Sequence, residues 1–203
     1  MSEFFYLASQ SPRRKEILDS LGAPYRLLNL VEGAGQNADF DETPIPNEIP
    51  IQYVKRISLI KAAAAWQHLM KQHLHRAPVL TLDTTVTIDD RILGKPRDVE
   101  DARLMLQSLS GRSHQVLTAV TMRRGFDVHQ SLSITTVCMQ SLNEDVIESY
   151  IKTAEPFGKS GSYGIQGIAS IFISHIAGSH SGVVGLPIYE TSELIKKFGF
   201  SLL

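Results

Sequence analysis

Along the chain, short apolar runs give way repeatedly to stretches with helical spacing, and this switching predicts the elements. Residues 4–8 form an aromatic and apolar run that reads as a strand. It stops at Ser9-Gln10-Ser11-Pro12, and residues 13–21 then place apolar side chains at 17, 18 and 21, as a helix does. Ser11 is positioned to cap that helix, Pro12 to occupy its first turn and Gly22 to end it. Residues 25–31 read as a second strand. Residues 32–50 are polar and carry Gly33, Gly35, Pro44, Pro46 and Pro50, so an irregular loop is expected. Residues 51–75 are expected as one long helix, with Val54, Ile57, Ala64 and Leu69 on one face.

The second half repeats the alternation. Residues 79–88 have the β-branched content of a central strand, and Asp89-Asp90 is a turn signal. Asp98 caps a helix with Ala102, Met105, Leu106 and Leu109 on one stripe, ended by Gly111. Residues 115–122 and 132–142 read as strands joined by a polar turn around Gly125, and residues 144–152 as a short helix apolar at Val146, Ile147, Tyr150 and Ile151. A glycine-rich stretch at 158–167, a strand at 170–176, a second glycine-rich turn at 178–185 and a helix from about Pro187 complete the chain. No repeat, low-complexity tract or linker divides it, so one α/β domain over residues 1–203 is expected, and the consecutive strands near 115–142 imply a mixed sheet.

Composition narrows the class. The 203 residues hold 20 Lys plus Arg and 21 Asp plus Glu, a formal charge of −1 that supplies no global field for holding nucleic acid. Cys138 alone excludes an internal disulfide framework or a multi-cysteine zinc site, and its place in the run 134–139 reads as a small buried hydrophobe. No apolar run approaches the ~18 residues of a membrane span, and Glu3 stands where a signal peptide carries basic residues. A soluble, cytoplasmic protein that binds no membrane is expected.

Four groups carry possible chemistry. Ser9-Gln10-Ser11-Pro12-Arg13-Arg14 joins a strand to a helix N-terminus bearing two guanidiniums, which is either an anion receptor or a capped helix with solvated arginines. Asp83 lies inside an apolar strand and needs a partner, because an unpaired buried charge is costly. It is either a salt-bridged structural acid or a metal-binding or general-base carboxylate. Asp41-Glu42-Thr43-Pro44 adds loop acids, and Gly94-Lys95-Pro96-Arg97 is a turn with two cations. The block from Lys159 to Gly167 lets backbone approach a ligand but matches neither a Walker A loop nor a dinucleotide fingerprint.

Taken together, the separated blocks resemble the Maf family of nucleotide pyrophosphatases. They are Leu7-Ala8-Ser9-Gln10-Ser11-Pro12-Arg13-Arg14; Asp41-Glu42-Thr43-Pro44 with Val54-Lys55-Arg56-Ile57 and Lys61-Ala62; Asp83-Thr84; Gly94-Lys95-Pro96-Arg97; Leu109-Ser110-Gly111-Arg112-Ser113-His114; and the C-terminal Lys159-Ser160-Gly161-Ser162-Tyr163-Gly164-Ile165-Gln166-Gly167 and Val183-Val184-Gly185-Leu186-Pro187. The resemblance implies a Maf/ITPase-like fold, with a mixed, twisted central sheet flanked by helices and two lobes around a cleft. It implies hydrolysis of nucleoside triphosphates to monophosphate and pyrophosphate with a divalent metal, Mg²⁺ or Mn²⁺. Asp83 then falls at the catalytic carboxylate, and Glu42, Lys61 and Lys95 at further site positions. Arg13, Thr84 and Gln166 match the pattern of the dTTP/UTP-selective branch. Some family members pair as homodimers, with no interface legible here.

On this reading the triphosphate lies among Ser9, Ser11, Arg14, Lys61 and Lys95. Glu42 and Asp83 hold the metal, Asp83 serves as general base, and Gln166 pairs with a pyrimidine edge. The chain departs from the family at Thr81-Leu82, where a glycine and a small residue are usual, so added bulk is expected to shift the pocket or slow turnover. The 30–41 loop is several residues longer than usual, and Ser160 replaces a common Ala. Two alternatives stay open: a pyrophosphatase for another base, a purine or 7-methyl-GTP, and a nucleotide-binding regulator of cell division with little turnover.

Overall fold

The structure, a computed structural model, describes residues 3–30 and 41–202. Val31, residues 32–40 of the loop expected over 32–50 and most of the lengthened 30–41 segment lie outside the described residues, and the second strand itself stops at Leu27, short of the expected 25–31. The elements run β1 (Phe5–Leu7), α1 (Pro12–Ser20), β2 (Tyr25–Leu27), α2 (Pro50–Lys71), β3 (Val79–Ile88), β4 (Arg91–Leu93), α3 (Val99–Leu109), β5 (Ser113–Arg124), β6 (Asp127–Met139) and α4 (Glu144–Lys152). Two 3-10 turns, Ser160–Ser162 and Ile168–Phe172, precede β7 (Ile173–Ala177), α5 (His180–Val184) and α6 (Ile188–Lys197).

The strands form one mixed sheet in the order β2-β1-β3-β5-β6-β7. β1 runs parallel to β2 and β3, and the remaining pairs are antiparallel. On one edge β3 is covered continuously by β5, from Val79 to Thr87. Its other edge is covered in two pieces: β1 reaches only Val79 and Leu80, and β4 only Val86 to Ile88. Between them the ladder is interrupted beside residues 81–85.

Strand alternation sends odd and even residues of β3 to opposite faces. On the odd face Thr81 donates to the Ser58 carbonyl at 2.9 Å, and Val54 and Ile57 of α2 pack on Leu117 and Ala119. On the even face Leu80 and Leu82 pack with Phe5, Leu7, Leu18, Leu186 and Leu194, while Val86 and Ile88 join Leu106, Ile147 and Phe172. α2 starts with Ile49 at its cap position and no side-chain cap bond. A missing cap costs about 1 kcal/mol. Burial of Val54, Ile57 and Leu69, at about 1.5–3 kcal/mol each, outweighs it.

Several expectations need correction. α2 ends at Lys71 rather than 75, and its buried face runs through Val54, Ile57, Ser58, Ala62, Ala65 and Leu69, with Ala64 only half-buried. Ser11 stands at the α1 cap position, but its side chain makes no cap bond. β4 was not expected. Residues 168–172 form a 3-10 turn where a strand was expected to start at 170, and the second glycine-rich turn contains α5. β6 starts five residues early, at Asp127, and turns Ser133, Thr135, Val137 and Met139 inward. Cys138 is therefore half-buried on the other face, its Sγ 3.2 Å from the Ser113 hydroxyl. No helix among the described residues is long and apolar enough to cross a membrane.

Candidate active site

The interruption beside β3 opens into a cavity of about 740 Å³. Even-numbered β3 residues point their backbone groups toward that edge, so the two carbonyls that a neighbouring strand would satisfy need other donors. The Leu82 carbonyl accepts from Arg14 Nη1 at 3.2 Å, and the Thr84 carbonyl from the Ser160 hydroxyl at 3.0 Å. The ladder is completed by side chains, and the space beside them is left for a ligand.

α1 supplies Arg14, whose guanidinium makes four hydrogen bonds to the protein. Besides Leu82, it donates to the Gly185 carbonyl at 2.8 Å, the Ser9 hydroxyl at 3.1 Å and the Thr84 hydroxyl at 3.2 Å. Burial lowers its pKa, and the negative charges of Asp83 and Glu42 oppose that shift. A guanidinium stays charged under such conditions. Arg14 thus ties α1, β3 and the end of α5 together and contributes a fixed positive charge behind the cavity wall. Arg13, its neighbour, lines the cavity, and among the described residues no hydrogen bond or ion pair engages its guanidinium.

The acidic side of the cavity is built by α2 and β3. Lys61 Nζ lies 2.7 Å from Asp83 Oδ1 and 3.1 Å from Glu42 Oε1. Asp83 is 7% exposed, and the Thr85 hydroxyl approaches its second oxygen at 3.5 Å. Of the two alternatives left open for Asp83, the salt bridge is present, and the carboxylate also lines the cavity. Tyr53, two helical turns before Lys61, lines the same wall; burial, reinforced by Asp83 and Glu42, pushes its hydroxyl up to about 12.

Ser9, Ser11, Arg13, Arg14, Glu42, Lys61, Asp83, Thr84 and Lys95 all line this one cavity, although they come from five separate segments. Lys95 is exposed at its mouth, with no partner among the described residues. Gln166 is different. It is exposed and does not line the cavity, whereas its neighbour Ile165 does. Of Thr81 and Leu82, Thr81 bonds to α2 and does not line the cavity, whereas Leu82 packs in the apolar core and also lines the cavity wall. Sequence reasoning passed over Tyr53, and it quoted Lys159 and Tyr163 within the glycine-rich block without giving either a role. Tyr53 was findable, since positions 53, 57 and 61 share one helical face.

Among the described residues no three His, Cys, Asp or Glu side chains gather to hold a metal by themselves. Glu42 and Asp83 instead offer two hard carboxylate donors to one point, now shared with the Lys61 ammonium. That set fits a hard dication whose remaining ligands are phosphate oxygens and water, the usual arrangement for Mg²⁺.

Known proteins are similar to this chain over nearly its whole length. The chain is 45% identical over 202 residues to the dTTP/UTP pyrophosphatase of Albidiferax ferrireducens, covering 100% of both chains. It is 46% identical over 197 residues to that of Nitrosomonas europaea, covering 97% of this chain and 95% of the other. With the protein of the same name from Cupriavidus metallidurans it shares 47% over 199 residues, 98% of each chain. Residues 4–198 match the family described as Maf-like protein, and the chain belongs to that family.

Proposed function

We propose that this protein hydrolyses nucleoside triphosphates, dTTP and UTP foremost, to the monophosphate and pyrophosphate. One observation carries the reading: the Asp83–Lys61–Glu42 cluster faces a cavity of nucleotide size in a chain 45–47% identical, end to end, to proteins named dTTP/UTP pyrophosphatase.

In the proposed mechanism the triphosphate enters beside β3 with its phosphates between the α1 start and the Lys61 and Lys95 ammoniums. Asp83, fixed by Lys61, orients water toward the α-phosphate and takes its proton. Lys61 holds the carboxylate in one rotamer and supplies positive charge where negative charge develops. Arg14 adds a further fixed charge without having to reorganise, because its four bonds are already made. Glu42 and Asp83 are the residues that would hold a divalent metal, and such an ion supplies Lewis-acid stabilisation of the phosphate oxygens.

Specificity is assigned to Arg13, Thr84 and Gln166. Thr84 has its hydroxyl in the wall network, 3.0 Å from Thr118 Oγ1 and 3.2 Å from Arg14 Nη2. Gln166 reaches a bound base only if the glycine-rich loop turns inward, which makes its role dependent on substrate-induced closure. A cytoplasmic location is part of the same proposal, since it is where such substrates are made and used.

The test is pyrophosphate release, measured apart from orthophosphate, with dTTP, UTP, CTP, dITP and 7-methyl-GTP in Mg²⁺ or Mn²⁺. Faster release from dTTP and UTP than from the others is the expected result. A purine preference would keep the reaction and discard the specificity assignment, and no turnover by folded protein would leave a nucleotide-binding regulator.

A further inference from the structure

The glycine-rich block 158–167 contributes a cation that the mechanism above does not use. Lys159 is half-buried and lines the cavity next to Ser160, the residue bonded to the Thr84 carbonyl. Its ammonium donates to the Glu155 carbonyl. The loop is shaped around this side chain. A Cβ at Gly164 would meet Lys159 Cε at 2.9 Å, and one at Gly167 would sit 2.3 Å from a Glu155 carboxylate oxygen. Glycine at both positions lets the backbone lie against the Lys159 stem and the Glu155 head.

Glu155 in turn braces the loop. Its carboxylate accepts from the Tyr150 hydroxyl at 2.9 Å, the Ile168 N–H at 2.8 Å and the Ala169 N–H at 3.2 Å. Burial alone would raise this carboxyl, but those bonds hold it below its ordinary value. With that charge committed to the loop, Lys159 is left facing the cavity together with Arg13. Burial lowers the Lys159 pKa, and repulsion from Arg13 lowers it further, against a weaker pull from Glu155. Two cations held on one concave wall, one of them without a partner among the described residues, repel each other until an anion lies between them.

We propose that Lys159 is a further substrate-binding residue, which with Arg13 holds the phosphate chain of the nucleotide against the glycine-rich wall. The proposal deepens the pyrophosphatase reading but does not depend on turnover. The geometry commits Lys159 to phosphate rather than base, since a single ammonium is a point charge without the paired donor and acceptor that distinguish one base from another.

Calorimetric titration with inorganic tripolyphosphate tests this, run on the wild-type chain, Lys159→Gln, Lys159→Arg and the exposed-surface control Lys152→Gln, with thermal unfolding to confirm folding. Lys159→Gln is expected to weaken tripolyphosphate binding about 10- to 100-fold. Lys159→Arg should recover most of that loss, and Lys152→Gln should bind as wild type. In steady-state assays with dTTP, Lys159→Gln should raise KM by a similar factor with kcat little changed. Equal tripolyphosphate binding by wild type and Lys159→Gln overturns the proposal, even if the dTTP KM rises, because the contact would then be to sugar or base. No tripolyphosphate binding by a wild-type protein that turns over dTTP overturns it too. If no nucleotide is hydrolysed but tripolyphosphate binding still requires Lys159, the phosphate site stands and the pyrophosphatase reading falls.

Discussion

Asp83 and Lys61 are held together by a 2.7 Å contact between a strand and a helix that pack face to face, with Glu42 at 3.1 Å from the same ammonium. The carboxylate is thereby kept at the cavity surface instead of turning into the apolar layer behind it. Replacing it tests the chemistry with little structural disturbance. Asp83→Asn should unfold within a few degrees of wild type and lose about 10²-fold or more in pyrophosphate release. Near-normal turnover would remove Asp83 from its role.

Removing the other partner should be worse for the fold. Lys61→Met leaves a 7% exposed carboxylate without its ion pair. Breaking a fully buried pair costs about 3–5 kcal/mol, and the partial exposure of Lys61 reduces the expected loss to about 2 kcal/mol. Urea titration reads this directly, and turnover should fall at least as far as in Asp83→Asn. A variant as stable as wild type would show the pair to be energetically idle.

Arg14→Lys separates geometry from charge. A lysine keeps the positive charge but cannot donate to Gly185, Ser9, Leu82 and Thr84 at once. A stability loss of about 2 kcal/mol is expected, with kcat reduced about tenfold through loosening of the cavity wall. Unchanged denaturant midpoint and kcat would mean that charge alone matters there.

Gln166→Ala should leave stability untouched, because the side chain is exposed. If the loop closes over substrate, the same change should lower the ratio of dTTP to 7-methyl-GTP turnover several-fold. An unaltered ratio would remove Gln166 from the specificity set.

His114 gives a pH prediction. Its Nε2 pairs with the Tyr163 hydroxyl at 2.8 Å, its Nδ1 is buried with no partner among the described residues, and burial pushes its pKa down to about 4. A depressed folded-state pKa favours the neutral ring. The stability it confers is therefore complete above the unfolded pKa near 6.5 and is lost as pH falls toward 4. The melting temperature should drop across that window, and His114→Gln should flatten the drop. Parallel curves for the two proteins would place the acid sensitivity elsewhere.

Much of the fold was legible because its signals are local. Residues 79–88 read as a strand from their β-branched content, and Asp98 caps α3 with the expected side-chain bond. β4 was missed because three residues after an Asp-Asp turn carry too little pattern to stand out, and they form a strand only because Val86 to Ile88 offer a free edge. β6 was cut short because its first half alternates polar residues on both faces. In the site, the sequence blocks led to the residues that line the cavity but not to their jobs. Nothing in Arg13-Arg14 distinguishes the arginine consumed by four protein bonds from its free neighbour, since that depends on where Gly185 returns, 171 residues later.

The interrupted edge of β3 also bears on how this protein behaves at high concentration. An uncovered strand edge invites pairing with another chain and is a common start of aggregation. Here the uncovered stretch is only residues 81–85, its outward carbonyls are taken by Arg14 and Ser160, and charged side chains surround it. The opening that admits a ligand is thus short and guarded against a foreign strand, and the same few side chains that line the site also cover its edge.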